Sequence, residues 1–250
     1  LELADELHEA VKLTIYLGRK ERVYGVPAYI AICDLMHRRH IAGASVFLGV
    51  DGVSYGHRQR ARFFGLNADV PLMLVVVGSG ELIGRVLPEL GGLLERPMLT
   101  LERVRVCKRD GALLERPHAL PKTDQHGLPL WQKLSIYTSE SARRGGVPIH
   151  RALVQRLWRR KTPDGATVLR GIWGFHGNHP PHGDKVITLG RRVPVLTTVI
   201  DTPANIAESF EVVDELTREE GLVTSEMVPA LVSDERDAHQ SRPHLADYRY

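Results

Sequence analysis

The sequence predicts an α+β protein built from two tandem copies of one β-α-β-β-α-β unit. Three observations carry this. Lys12-Leu13-Thr14-Ile15-Tyr16 returns as Lys133-Leu134-Ser135-Ile136-Tyr137, 121 positions later. Gly43-Ala44-Ser45-Val46 with Gly49 and Gly52 returns as Gly165-Ala166-Thr167-Val168 with Gly171 and Gly174, now 122 apart, and Val70-Pro71 returns as Val193-Pro194 at 123. The slow drift keeps the order of elements, and a period this long means two copies of a domain rather than a solenoid of 20–50-residue repeats. Within each copy, stretches of period two and β-branched runs alternate with stretches of helical period.

In the second copy, 133–138 alternates and reads as a first strand. Pro148 then opens a helix, as proline at a first helical position does. Ile149, Leu153, Val154 and Leu157 lie on one face of it, and Arg159, Arg160 and Lys161 load its C-terminal end, where cations suit the helix dipole. Pro163-Asp164-Gly165 is a turn, 166–172 a second strand, and 193–200 an apolar, β-branched strand for the middle of a sheet. Asp201-Thr202-Pro203 caps a helix running to about 219, Gly221 ends it, and 223–231 is the last strand. The first copy gives the same string: strand 12–17, helix from Pro27 to about His40, strand 44–50, a loop near 51–62, strand 70–77, helix 81–94, strand 99–107. Two split βαβ units of this order make a four-stranded antiparallel sheet with both helices on one face, the ferredoxin-like arrangement. The other face is left bare and must be covered, either by the second repeat or by an oligomer. The organisation expected is an N-terminal extension over 1–11, repeats over 12–107 and 133–231, a Pro- and Gly-bearing linker over 108–132, and a flexible polar tail over 232–250.

The chain has 250 residues, 43% hydrophobic and 25% charged, with a net charge of +3. The first repeat carries 13 basic and 8 acidic residues and the second 13 and 11, a basic lean that suits small anions and is too weak for a nucleic-acid protein. The apolar strands 70–77 and 193–200 also lack the stacking aromatics of an RNA-binding sheet. No apolar run reaches membrane-spanning length. Two unpaired cysteines, Cys33 and Cys107, and an acidic opening without a leader pattern predict a cytoplasmic protein.

The unusual segment is Gly171 to Asp184, with His176, His179 and His182 at three-residue spacing. It allows three readings. The imidazoles could hold a divalent metal. The glycines Gly171, Gly174 and Gly177, like Gly49 and Gly52 in the first copy, could bring backbone N–H groups to a phosphate. Or the segment is a solvated or interface loop. The matching loop of the first copy bears Arg58, Arg60 and Arg62, whose alternation on an extended arm suits an anion or an acidic partner. No Walker A sequence occurs and no catalytic set is assigned, so the chain is expected not to be an enzyme.

Gly165-Ala166-Thr167-Val168-Leu169-Arg170-Gly171-Ile172-Trp173-Gly174-Phe175, Val193-Pro194-Val195 and Ile200-Asp201-Thr202 resemble the bacterial family catalogued as domain of unknown function 190. Lys12 to Gly18 resembles that family's opening strand, so the resemblance spans nearly all of 11–231, more strongly in the second repeat. The family is grouped with PII (GlnB-like) signal proteins. The resemblance implies PII-like domains that assemble as trimers, bind adenine nucleotides in clefts between domains, and report ligand state to a partner such as a membrane transporter or channel. The reporting segment would be the T-loop, here 51–62 and 174–187. The turns between the second helix and last strand are short, without the PII phosphate loop, a departure from PII proteins that speaks against ATP bound in the PII manner and leaves room for a smaller or differently placed nucleotide. The ligand positions expected are Gly49, Gly52, Arg58, Arg60 and Arg62 with Arg170, Gly171, Gly174, Phe175, His176 and Gly177. The alternative is a ligand-free, partner-binding scaffold with a metal in the His176/His179/His182 loop.

Overall fold

The computed structural model describes residues 10–54, 57–60, 70–95, 97–161, 165–176, 181–183 and 193–228. For 51–54, 57–60 and 182–183 it describes the backbone only. The first repeat consists of β1 (Ala10–Gly18), the short hairpin β2 (Arg22–Val23) and β3 (Val26–Pro27), α1 (Ala28–Arg38), β4 (Gly43–Leu48), the hairpin β5 (Asp51–Ser54) and β6 (His57–Arg60), β7 (Pro71–Ser79), α2 (Gly80–Leu93) and β8 (Met98–Arg109). After β9 (Ala112–Leu113), the second follows as β10 (Trp131–Ser139), β11 (Arg143–Arg144), β12 (Val147–Pro148), α3 (Ile149–Arg160), β13 (Ala166–Arg170), β14 (Trp173–His176), β15 (His182–Gly183), β16 (Pro194–Asp201), α4 (Pro203–Leu216) and β17 (Leu222–Val228). Each repeat is the ferredoxin-like unit expected, with sheet orders β8-β1-β7-β4 and β17-β10-β16-β13.

The caps follow the sequence signals. Ser79 accepts the N–H of Leu82, and Thr202 accepts that of Asn205 at 3.4 Å, with Pro203 at the first helical position. Asp201 sits one residue before the cap and accepts from the Thr202 N–H and the Asn205 amide. The last helix stops at Leu216, short of the expected 219. There the Thr217 hydroxyl donates to the Val213 carbonyl at 2.7 Å, the back-bonding that favours a helix end, and the chain turns before Gly221.

Alternation along the strands separates three cores. Leu13, Ile15, Leu17, Leu72, Leu74 and Val76 pack under α1 and α2. Leu134, Ile136 and Val199 pack under α3 and α4 with Phe210 and Val213. The intervening residues form a third cluster drawn from both repeats, including Phe47, Val75, Val77, Val104, Val106, Tyr137, Leu196 and Leu222. The bare sheet face of each repeat is therefore covered by the other repeat within one chain.

Two strands stitch the sheets together. β8 pairs with β1 through Val104 and then with β17 from Arg105 onward. β14 leaves its own repeat and pairs with β4, Trp173 opposite Val46 and Phe175 opposite Ala44. Since β13 and β14 are separated by only Gly171 and Ile172, the hydrogen-bonded path from β13 through to β14 returns to its start, and the sheet rolls into a barrel.

The segment expected as a linker begins inside β8 and is held throughout. Lys108 is fully buried and bound to Asp214. The Cys107 carbonyl accepts the N–H groups of Leu114 and Glu115, and Asp124 accepts those of His126 and Leu128 at 2.8 Å each. Proline and glycine here shape turns that follow the barrel wall. The expected extension 1–11 lies outside the described residues except for Ala10 and Val11, which begin β1. The expected tail, and the end of the last strand beyond 228, lie outside them as well.

Candidate functional site

The repeated Lys-x-x-x-Tyr motif points into the barrel. On a strand, positions i, i+2 and i+4 share a face, so Lys12, Thr14 and Tyr16 face inward while Leu13, Ile15 and Leu17 face the helices. Lys12 is directly opposite Glu102, and its counterpart Lys133 is opposite Glu226. The Lys12 ammonium donates to both oxygens of Glu226 at 2.9 Å and lies 2.8 Å from Glu102, while Lys133 lies 2.7 Å from Glu226. The four charges thus join the repeats across the barrel. Burial pulls the Lys12 pKa down, but Glu226 and Glu102 outweigh it and hold the ammonium above its ordinary range. Burial pushes the Tyr137 phenol up, against the opposing pull of Lys12. Burial likewise raises both thiols, Cys107 to about 12, so they stay protonated at neutral pH.

At one end of the barrel, where the repeats meet, lies an open cavity of about 350 Å³. Tyr16, Phe47, Met73 and Leu169 give it an apolar lining. Gly49 and Pro71 edge it, and Arg170 brings a cation. The guanidinium of Arg170 is held by Glu140, Nε lying 3.1 Å from both carboxylate oxygens. The cavity falls in the size range of small-molecule pockets and has their usual makeup, apolar walls with few polar groups.

The opposite seam holds the symmetry-related place. Tyr137 there matches Tyr16, and its cross-strand neighbours Leu196 and Leu222 match Met73 and Met98. This place is filled: a void of only about 10 Å³ remains among Tyr137, Leu222, Ser45, Phe175 and His176.

Of the expected ligand positions, Gly49 and Arg170 meet at the open cavity. The glycines serve strand contact. The Gly49 N–H donates to the Pro71 carbonyl at 2.8 Å and the Gly171 N–H to that of Pro194 at 2.7 Å, so neither N–H points to a phosphate. A Cβ on Gly171 would lie 2.7 Å from the Pro194 ring and 2.9 Å from the Val46 carbonyl, and one on Gly174 only 2.2 Å from the Ala44 carbonyl. Phe175 is buried in the core under α1, edge-on to His37 at 5.1 Å, which makes it a packing residue. His176 lies at the closed seam, 3.9 Å from Glu220. Register sets His182 opposite Gly174, and in the other hairpin Arg58 opposite Val53 and Arg60 opposite Asp51. Gly52 sits opposite Gln59. Arg62, Gly177 and His179 lie outside the described residues. Among the described residues no cluster of metal-ligating side chains occurs, and no helix is long and apolar enough to cross a membrane. Tyr16, Phe47, Met73 and Leu169 were not singled out from sequence; the signal for Tyr16 was its place in the repeated motif.

Two ferredoxin-like repeats rolled into one barrel, with a cavity at one seam, define a tandem-repeat α+β protein. The family model DUF190, described as an "Uncharacterized ACR", matches residues 10–106 and 131–230, and the chain belongs to that family. It is similar to UPF0166 protein MJ1524 of Methanocaldococcus jannaschii, 38% identical over 80 residues that make up 31% of this chain and 72% of the relative. Among solved structures it aligns with an unknown protein from Galdieria sulphuraria, at 12% identity and a TM-score of 0.27 over 88% of this chain and 98% of the other. It also aligns with an anthrone oxidase-like protein, at 13% identity and a TM-score of 0.22 over 88% and 92%.

Proposed function

We propose that this chain is a non-enzymatic, PII-like regulatory protein that holds a small anionic effector, an adenine nucleotide, in the open seam cavity. It reports occupancy to a partner protein in ion transport through the segments 51–62 and 174–187. The observation that carries this reading is the cavity itself, which both repeats build and which pairs an apolar lining able to take a flat base with the guanidinium of Arg170. An anion there would share Arg170 with Glu140, a charge-assisted contact of the kind arginine makes with phosphate.

The test is calorimetric titration with ATP, ADP, AMP, cyclic AMP and cyclic di-AMP. Saturable binding of one of them, weakened at least about tenfold by Arg170→Ala, a loss of about 1.4 kcal/mol, supports the reading. Absence of binding by all five overturns the nucleotide. The second reading, a partner-binding scaffold without ligand, is favoured by the exposed apolar side chains of Leu169 in the cavity lining and of Met98, opposite Tyr16 on the neighbouring strand.

A further inference from the structure

The two seams of the barrel are one place in two states. At the filled seam β14 lies along β4, and the residues beneath are sealed: Tyr137 is 5% exposed, Leu222 2% and Phe175 3%. At the open seam the corresponding Tyr16 is 37% exposed and Met98 60%, and Leu169 of the cavity lining is 41% exposed. What differs is one strand. The counterpart of β4 is β13, and among the described strands β13 pairs only with β16, leaving its other edge unpaired. The counterpart of β14 is β5, which among the described strands pairs only with β6. An unpaired strand edge beside exposed apolar side chains is a template for a further strand.

We propose that the β5–β6 hairpin closes the open seam by pairing β5 with β13, in the register that β14 makes with β4. Carried over by the repeat offset of 122, Trp173 opposite Val46 becomes Asp51 opposite Val168, and Phe175 opposite Ala44 becomes Val53 opposite Ala166. Gly174 opposite Ser45 becomes Gly52 opposite Thr167. That last pair is a specific match, because the docked strand has room only for glycine there: a Cβ on Gly174 would meet the Ala44 carbonyl at 2.2 Å. Closure completes the barrel, covers the cavity at Tyr16, and carries Arg58 and Arg60 of the hairpin to the seam that holds Arg170. The hairpin is then a strand-swapping lid, and the filled seam is the permanently closed copy of it. That the lid responds to a ligand rests on the nucleotide reading above; that it closes does not.

Two measurements test this on the full chain. In an Asp51→Cys/Val168→Cys variant, mild oxidation is expected to give an intrachain disulfide, since directly opposed strand residues lie within disulfide range. In the unmodified protein, hydrogen exchange is expected to show the β13 amides left free by β16 slowing toward the rates of β4 when AMP or ATP is added. Exchange at solvent-exposed rates with and without nucleotide, together with no intrachain disulfide, overturns the proposal. A disulfide-linked dimer from Val168→Cys alone, with β13 protected only at high protein concentration, also overturns it by assigning the edge to a second copy. The two readings fail separately: nucleotide binding with an unprotected β13 sinks the lid alone, whereas an intrachain disulfide without binding by any nucleotide sinks the ligand and keeps the lid.

Discussion

The ammonium of Lys12, in the first strand of one repeat, lies 2.9 Å from both carboxylate oxygens of Glu226, in the last strand of the other. Both side chains are almost wholly buried. Removing one partner of such a pair strands a charge in the interior and typically costs about 3–5 kcal/mol. Lys12→Met leaves Glu226 with Lys133, so its loss should fall near the low end, about 3 kcal/mol. Glu226→Gln leaves Lys133 without its carboxylate and Lys12 with only Glu102, and should cost at least as much. Urea unfolding monitored by circular dichroism measures both. A change below about 0.5 kcal/mol for either variant would mean that the pair adds nothing beyond what a surface ion pair does.

The same pair fixes the alkaline limit of stability. The folded pKa of Lys12 is raised above its ordinary 10.5, so its contribution is complete below that value and is lost as the pH climbs toward the folded pKa. Burial also raises Tyr137 above its ordinary 10.0, and that group acts in the same direction, because the folded state keeps a proton the unfolded chain gives up. Stability should therefore decline above about pH 10, and less steeply in Lys12→Met, where Tyr137 alone remains of the two. Equal slopes in the two proteins would remove Lys12 from the explanation.

Glycines at the seam should tolerate no side chain. Gly171→Ala would press a methyl against the Pro194 ring and the Val46 carbonyl, and Gly174→Ala against the Ala44 carbonyl, all closer than carbon atoms approach. Overpacking of this kind costs about 1–3 kcal/mol, more where backbone must move. Gly84, inside α2, meets nothing within 4 Å, so Gly84→Ala should be neutral or stabilising by about 0.4–1 kcal/mol. Thermal melts of the three variants give the contrast. Similar melting temperatures for Gly174→Ala and the unmodified chain would contradict the close approach of β14 to β4.

These positions show what was legible in the sequence. Each repeat could be read from its own periodicity, because strand and helix spacing are local properties, and so could the caps at Thr202 and Pro203. The bare sheet face followed from the element order, and the need for a cover followed from the bare face. The return of β14 to β4 did not, because strand pairing between repeats leaves no local period. The glycines Gly171 and Gly174 read as places where backbone N–H groups could meet a phosphate, but a close strand approach needs a missing Cβ just as much. Only the positions of Val46, Ala44 and Pro194 separate the two uses. The Lys12 and Lys133 motif was visible as a repeat, but its inward direction and its pairing with Glu226 depend on the rolled sheet.

Lys108 anchors the strand that bridges the two repeats, and the thiol beside it reports on that anchor. Its ammonium lies 2.6 Å from the Asp214 carboxylate and 2.9 Å from the Asp214 carbonyl, with no solvent exposure. The next residue back, Cys107, is fully buried, and its carbonyl accepts the N–H groups of Leu114 and Glu115, which fold the following segment over it. Burial raises the pKa of Cys107 to about 12 and that of Cys33 further. At pH 8 both thiols should therefore react with a disulfide reagent only as fast as the structure opens. Lys108→Met removes the anchor and leaves Asp214, already part-exposed, to turn to water. It should speed labelling of Cys107 by at least about tenfold, a local opening easier by about 1.4 kcal/mol, while labelling of Cys33, in the other repeat's core, changes little. Equal acceleration of both thiols would show that the two repeats open together as one barrel, with no weaker unit at the bridge.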